Sequence, residues 1–97
     1  MFNIAFTPSA LDDIGWFRKR EQKIIFDMIE EQLTYQPNVE TRNRKKLRPN
    51  QIAEWELRIG KYRVFYDVDI EANAVEVKTI GYKEGNRLFV RGEEYKL

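Results

Sequence analysis

The residues able to do chemistry in this chain are few in kind. It contains no His and no Cys, which excludes Ser-His-Asp and Cys-His triads, disulfides, and zinc sites built on those ligands. Proton transfer falls to Glu, Asp, Lys and Tyr, and stabilisation of negative charge to Lys and Arg. Those cations are unevenly placed. Eight of the 17 Lys and Arg lie between residues 42 and 63, against two of the 16 Asp and Glu. A net charge of +1 therefore hides a local excess large enough to bind phosphate. Arg42, Arg44, Lys45, Lys46 and Arg48 make up its first part, and Arg58, Lys61 and Arg63 its second.

Positioning these groups requires regular elements, and the apolar pattern supplies them. Phe2, Ile4 and Phe6 alternate with polar or small residues and predict a short strand ended by Pro8. Ser9, with Asp12 three residues on, reads as a helix N-cap and capping-box partner. Ala10, Ile14 and Phe17 then mark a helical stripe to about Arg20. A second helix carries Ile25, Met28, Ile29 and Leu33 and is over by Gln36-Pro37, because the residue before proline avoids helical angles. The two make a helical hairpin with its joint near Lys19–Gln22.

Residues 38–53 hold few large apolar side chains and read as a basic loop. Beyond them, Trp55, Leu57 and Ile59 alternate with Glu56 and Arg58. After a turn at Gly60-Lys61, Tyr62, Val64, Tyr66 and Val68 alternate with Arg63, Phe65 and Asp67. Val75, Val77 and Thr79 continue the pattern into an antiparallel meander, and Arg87–Leu97 is a short tail. The expected fold is α+β: a two-layer sandwich in the order β-α-α-β-β-β, with a mainly antiparallel sheet. It forms one domain over residues 1–97, with the helical hairpin on one sheet face. Trp55, Leu57, Val64, Tyr66, Val75 and Val77 belong to the covered face. Glu56, Arg58, Arg63 and Phe65, joined by Lys78, Tyr82 and Lys83, belong to the other, an open cradle for phosphate and base.

The run Trp55-Glu56-Leu57-Arg58-Ile59-Gly60-Lys61-Tyr62-Arg63-Val64-Phe65-Tyr66-Asp67-Val68 resembles the central hairpin of the RelE/ParE family of type II toxin–antitoxin toxins. Lys46-Leu47-Arg48 before it and Ile80-Gly81-Tyr82-Lys83-Glu84 after it share the resemblance, which extends over nearly the whole chain. A RelE-like reading implies an endoribonuclease that cuts mRNA at the ribosome without metal or cofactor, through attack of a ribose 2′-OH on the adjacent phosphate. On that pattern Arg63 stabilises the phosphorane, Arg58 is a second strand cation, and Arg48 holds the RNA backbone. Lys83 stands where many such nucleases have an arginine. The chain departs from the pattern at Glu56, where a lysine is expected, and at Phe89, where a tyrosine is often found. Phe89 keeps the ability to stack on a base, and Tyr82 is the nearest phenol able to replace the missing one. Arg44, Lys45 and Lys46 add phosphate contacts beside Arg48.

A ParE-like reading implies instead an inhibitor of DNA gyrase with no nuclease activity, and a third reading is a module that only binds antitoxin. Each implies a small cognate antitoxin, with Phe89, Val90 and Tyr95 of the tail offering it apolar contacts. No apolar run approaches the ~20 residues of a membrane span, so a cytoplasmic protein is expected.

Overall fold

Alternation of apolar and polar side chains along residues 55–84 is realised as three adjacent antiparallel strands. They are β3 (Trp55–Ile59), β4 (Tyr62–Asp69) and β5 (Ala74–Glu84). In this computed structural model, which describes residues 1–96, they are the middle of a seven-stranded, mostly antiparallel sheet. The remaining strands are β1 (Asn3–Phe6), β2 (Arg44–Lys46), β6 (Arg87–Val90) and β7 (Glu93–Tyr95). Their order is β2-β3-β4-β5-β6-β7, with β1 pairing β5 in parallel. Two helices, α1 (Pro8–Gly15) and α2 (Lys19–Leu33), complete the α+β fold. Neither is long and apolar enough to cross a membrane.

Three local readings are corrected. Helix α1 is capped by Thr7, not Ser9: Pro8 takes the first helical position, and the Thr7 hydroxyl accepts from the Ala10 N–H at 3.0 Å. The basic segment contains strand β2, paired with β3 from Arg44↔Leu57 to Lys46↔Trp55. The tail is a hairpin of β6 and β7 that continues the sheet beyond β5.

One face of the sheet holds the main core. Trp55, Leu57, Val64, Tyr66, Val75 and Val77 are buried there with Ala10, Ile14 and Phe17, and with Ile25, Ile29 and Leu33 of α2. Tyr66 is fully enclosed and donates its hydroxyl to the Pro37 carbonyl at 2.7 Å. That bond satisfies the one polar atom the ring takes into the core.

The edge of β5 is shared between two strands. Residues 74–77 pair with β1, and residues 82–84 pair with β6. Between them the Ile80 N–H donates to Oδ2 of Asp13 at 3.0 Å, and the Thr7 hydroxyl donates to the Lys78 carbonyl at 3.2 Å. Asp13 is 1% exposed, and Arg91 Nε lies 3.0 Å from its other oxygen. Burial pushes the Asp13 carboxyl above its ordinary range, against the lowering effects of the Ile80 amide and Arg91. At Gly81 an added Cβ would lie 2.3 Å from the Phe89 carbonyl oxygen, so β6 approaches this closely only because no side chain intervenes.

Two outcomes follow. Gly81→Ala is expected to cost about 1–3 kcal/mol in urea unfolding, as the backbone of β6 is forced away. For Asp13 the folded-state pKa is raised, so the stability it contributes is full below the unfolded carboxylate value and is lost as pH rises through the folded one. The stability of the natural protein minus that of Asp13→Asn should therefore fall from about pH 4 towards neutrality, measured by denaturant melts across the range.

Candidate nucleic-acid interface

Arg58 and Arg63 are direct cross-strand partners on β3 and β4, and Glu56 faces Phe65 two residues along. Opposed residues in an antiparallel pair project to the same side, so both guanidinium stems rise from the face opposite the main core. Glu56 is 3% exposed, and its Oε1 accepts from Arg58 Nε at 3.0 Å. This contact engages the inner nitrogen of Arg58 and leaves the terminal nitrogens, on a side chain 42% exposed, without a hydrogen-bond partner among the described residues. Arg63 Nη1 donates to the Gly60 and Tyr62 carbonyls at 2.7 and 2.9 Å, which turns its head towards the β3–β4 turn. Its Nε is buried without a hydrogen-bond partner. Burial lowers the Arg63 pKa; Glu56 opposes that shift and the neighbouring Arg58 adds to it. A half-desolvated guanidinium beside a second one is a site that gains from an anionic ligand.

Further cations stand on the same face. Lys45 is paired with Glu56 across β2 and β3 and is exposed. Lys83 follows Gly81, the partner of Arg63, by two residues and shares its side. At the far end of the face, Lys78 is consumed by Glu76 at 2.8 Å and Asp67 at 3.9 Å. Positive charge therefore gathers at the β3–β4 turn end and is cancelled at the other.

The expected cradle differs in three respects. First, the face is not bare. Phe65 is fully buried in a second small core with Ala53 and Leu88, against which Leu47 and Ile52 pack. Asn50 shapes that covering loop, its Oδ1 accepting from the Ile52 and Ala53 amides at 2.7 and 3.1 Å. The exposed Arg48 is carried by the same loop. Second, Tyr82 and Phe89 are paired with each other and Tyr82 with Tyr62, which places both rings on the helix-bearing side, away from Arg58 and Arg63. Tyr82 is sandwiched between Trp16 and Phe89 at 5.4 and 5.5 Å, and the outer side of Phe89 meets the Arg87 guanidinium at 5.4 Å. Neither ring is available to a base or a proton beside the arginines. Third, Arg44 is buried. Its Nη1 donates to the Gln32 carbonyl and side chain at 3.0 and 2.7 Å, and its Nε to the Val39 carbonyl at 3.0 Å. It ties α2 to β2 and, at 8% exposure, presents little of its guanidinium to solvent. Lys46 also leaves the cluster, lying over the Trp55 ring at 5.8 Å on the core side.

The residues that sequence reasoning missed are Asp13, Trp16 and Arg91. An aspartate in the middle of an amphipathic helix was the available signal for the first. Tail residues Val90 and Tyr95 sit in the β6–β7 hairpin, with Tyr95 43% exposed.

No family model matches the sequence, and no curated protein matches it. Its fold recurs among solved structures. A chain of the toxin–antitoxin complex RelBE2 from Mycobacterium tuberculosis superposes with a TM-score of 0.73 at 23% identity, over 84% of this chain and 98% of that one. The YoeB dimer from Staphylococcus aureus gives 0.63 at 23% identity, over 86% and 98%. The resemblance seen in the residue pattern is thus matched by the architecture.

The contrast between two arginines four residues apart provides a check. Arg44→Ala should cost about 1.5–3 kcal/mol of stability, the scale for losing hydrogen bonds from a charged donor. Arg48→Ala, at an exposed loop position, should leave the melting curve unchanged.

Proposed function

We propose that this protein is the toxin of a type II toxin–antitoxin pair, a RelE-like endoribonuclease that blocks translation by cutting mRNA at the ribosome. Support for the toxin role comes from the fold shared with a chain of a toxin–antitoxin complex. The observation that carries the chemistry is the cross-strand pairing of Arg58 with Arg63, beside a buried Glu56 and on the side of the sheet shared by Lys83.

In this reading the scissile phosphate sits against the two guanidinium groups. The ribose 2′-oxygen forms a bond to phosphorus, and the bond from phosphorus to the 5′-oxygen breaks. The products are a 2′,3′-cyclic phosphate and a 5′-OH. Arg63 neutralises charge on the pentacoordinate phosphorus, and Arg58, steadied by Glu56, fixes the second oxygen. Glu56 takes the 2′-OH proton, and Lys83 returns one to the leaving oxygen. Neither step calls on a metal or a cofactor. Glu56 is buried and already holds Arg58, so much of the acceleration must come from alignment supplied by the ribosome. A cognate antitoxin is the partner in the cytoplasm, and Tyr95 of the outer hairpin is one of the apolar contacts it would meet.

One observation favours a second reading. With Tyr82 and Phe89 on the other side of the sheet, the nearest phenol by strand order on the arginine side is Tyr95 on β7, three strands from β4. That arrangement suits a ParE-like inhibitor of DNA gyrase, which transfers no proton.

Mapping of RNA ends after induced expression separates the two. The nuclease reading expects new 5′-OH ends in transcripts, reduced about 100-fold or more by Arg63→Ala, with growth restored. Cutting that persists in Arg63→Ala overturns the assignment of the site. Intact transcripts with double-strand DNA breaks would establish the gyrase reading.

A further inference from the structure

A cleft of about 770 Å³ lies where α1 meets α2 and has no part in the chemistry above. Trp16, Tyr62 and Tyr82 wall it, and Arg18, Arg20 and Lys61 stand at its rim. Trp16 is 48% exposed and lies parallel to Tyr82, at 5.4 Å and 8°, so the supporting ring fixes the plane of a half-open platform. The three rim cations are exposed and take part in no ion pair among the described residues. Two acids border the same space. Glu21 accepts from the Tyr62 hydroxyl at 2.6 Å and faces Lys61 and Arg18, and Glu84 is the second, so three cations stand against two carboxylates.

A supported flat ring beside an excess of cations is the chemistry by which proteins hold single-stranded nucleic acid, the base stacking while the phosphate is neutralised. The cleft also lies next to the arginine pair along the chain. Arg63 Nη1 is bound to the Gly60 carbonyl, and the next residue, Lys61, is on the rim. Consecutive Cα atoms are ~3.8 Å apart, so a strand leaving Arg63 over the β3–β4 turn reaches Lys61 within about one nucleotide.

We propose that this cleft is a second RNA subsite. It takes a nucleotide adjoining the phosphate held by Arg58 and Arg63, with its base on Trp16 and its phosphate on Arg20 and Lys61. The proposal rests on the RNA-directed reading of the arginine face and extends it across the end of the sheet. It assigns to α1 and α2 a part in binding substrate, in addition to covering the core.

The test is binding of a fluorescein-labelled 2′-O-methyl RNA dodecamer, which lacks the attacking hydroxyl, to the full chain by anisotropy at several salt concentrations. Arg20→Ala/Lys61→Ala should weaken binding about tenfold and lower the salt dependence by roughly 0.7 in log–log slope, the one phosphate the two cations share on a single strand. Both residues are exposed and outside the ion pairs, and only the Lys61 contact with the Tyr62 ring is lost, so the double variant should keep the native fold with a melting curve close to that of the natural protein. Tryptophan emission should also be quenched on binding; Trp55 is 5% exposed, so the response reports Trp16. Unchanged affinity and slope in the double variant, with binding still lost in Arg63→Ala, would overturn the subsite and leave the arginine face standing. Absence of RNA binding by the natural protein would overturn both. Loss of antitoxin capture by the double variant, with RNA affinity unchanged, would assign the cleft to protein and refute the proposal.

Discussion

The fold depends on how one edge of β5 is divided. A strand of eleven residues offers more edge than either neighbour covers: β1 takes residues 74–77 in parallel, and β6 takes 82–84 in antiparallel sense. A buried amide left unpaired in the gap would cost about 1–3 kcal/mol. The Asp13 carboxylate meets the Ile80 amide, and Arg91 from beyond β6 approaches the same carboxylate. One side chain thus joins the first helix, the central strand and the last hairpin. Gly81 lets the β6 backbone close on that edge, and Gly92 brings the hairpin turn against Trp16. The outer hairpin is consequently part of the sheet, and the Trp16–Tyr82–Phe89 stack is the packed seam between that hairpin and α1.

The division of the edge has a chemical consequence through strand parity. Because Tyr82 must face α1 to join the stack, Gly81 and Lys83 must face the other way, beside Arg63. Rings and cations at the end of β5 are separated onto opposite sides by a single residue of offset. On the cation side, the loop shaped by Asn50 buries Phe65 and so narrows the free surface to the end near the β3–β4 turn. Desolvation there makes Arg63 costly to hold as a lone charge, and Glu56 offsets part of that cost while orienting Arg58. The site is a small polarised corner of the sheet. Its position at the turn is what brings it within reach of the cleft on the far side.

Comparing the residue pattern with the structure shows where local information ends. Period-two alternation placed Trp55, Leu57, Val64 and Tyr66 on the core face and Arg58 with Arg63 on the other, because side-chain direction along a strand is a local property. The same rule misled at Tyr82. A register irregularity between Phe65 and Tyr66 leaves Lys78 as an extra residue on β5, which changes the parity of everything beyond it. Arg44 read as one member of a basic run, because charge alone does not distinguish a solvated guanidinium from one that spans the gap between α2 and β2. Asp13 carried no distinguishing neighbour in sequence, since its partner amide is 67 residues away.

By itself, the sequence determined the α+β class, the meander from residue 55 to 84, the composition of the main core and the juxtaposition of Arg58 with Arg63. All of these follow from short-range periodicity and from turns at Gly60 and Asn73, which adopt positive φ. Only the tertiary structure decided which cations remain free, which face the tail aromatics join, and that the tail closes the sheet. Those outcomes depend on burial and on hydrogen bonds between residues far apart in the chain, whose energies exist only once the strands have come together.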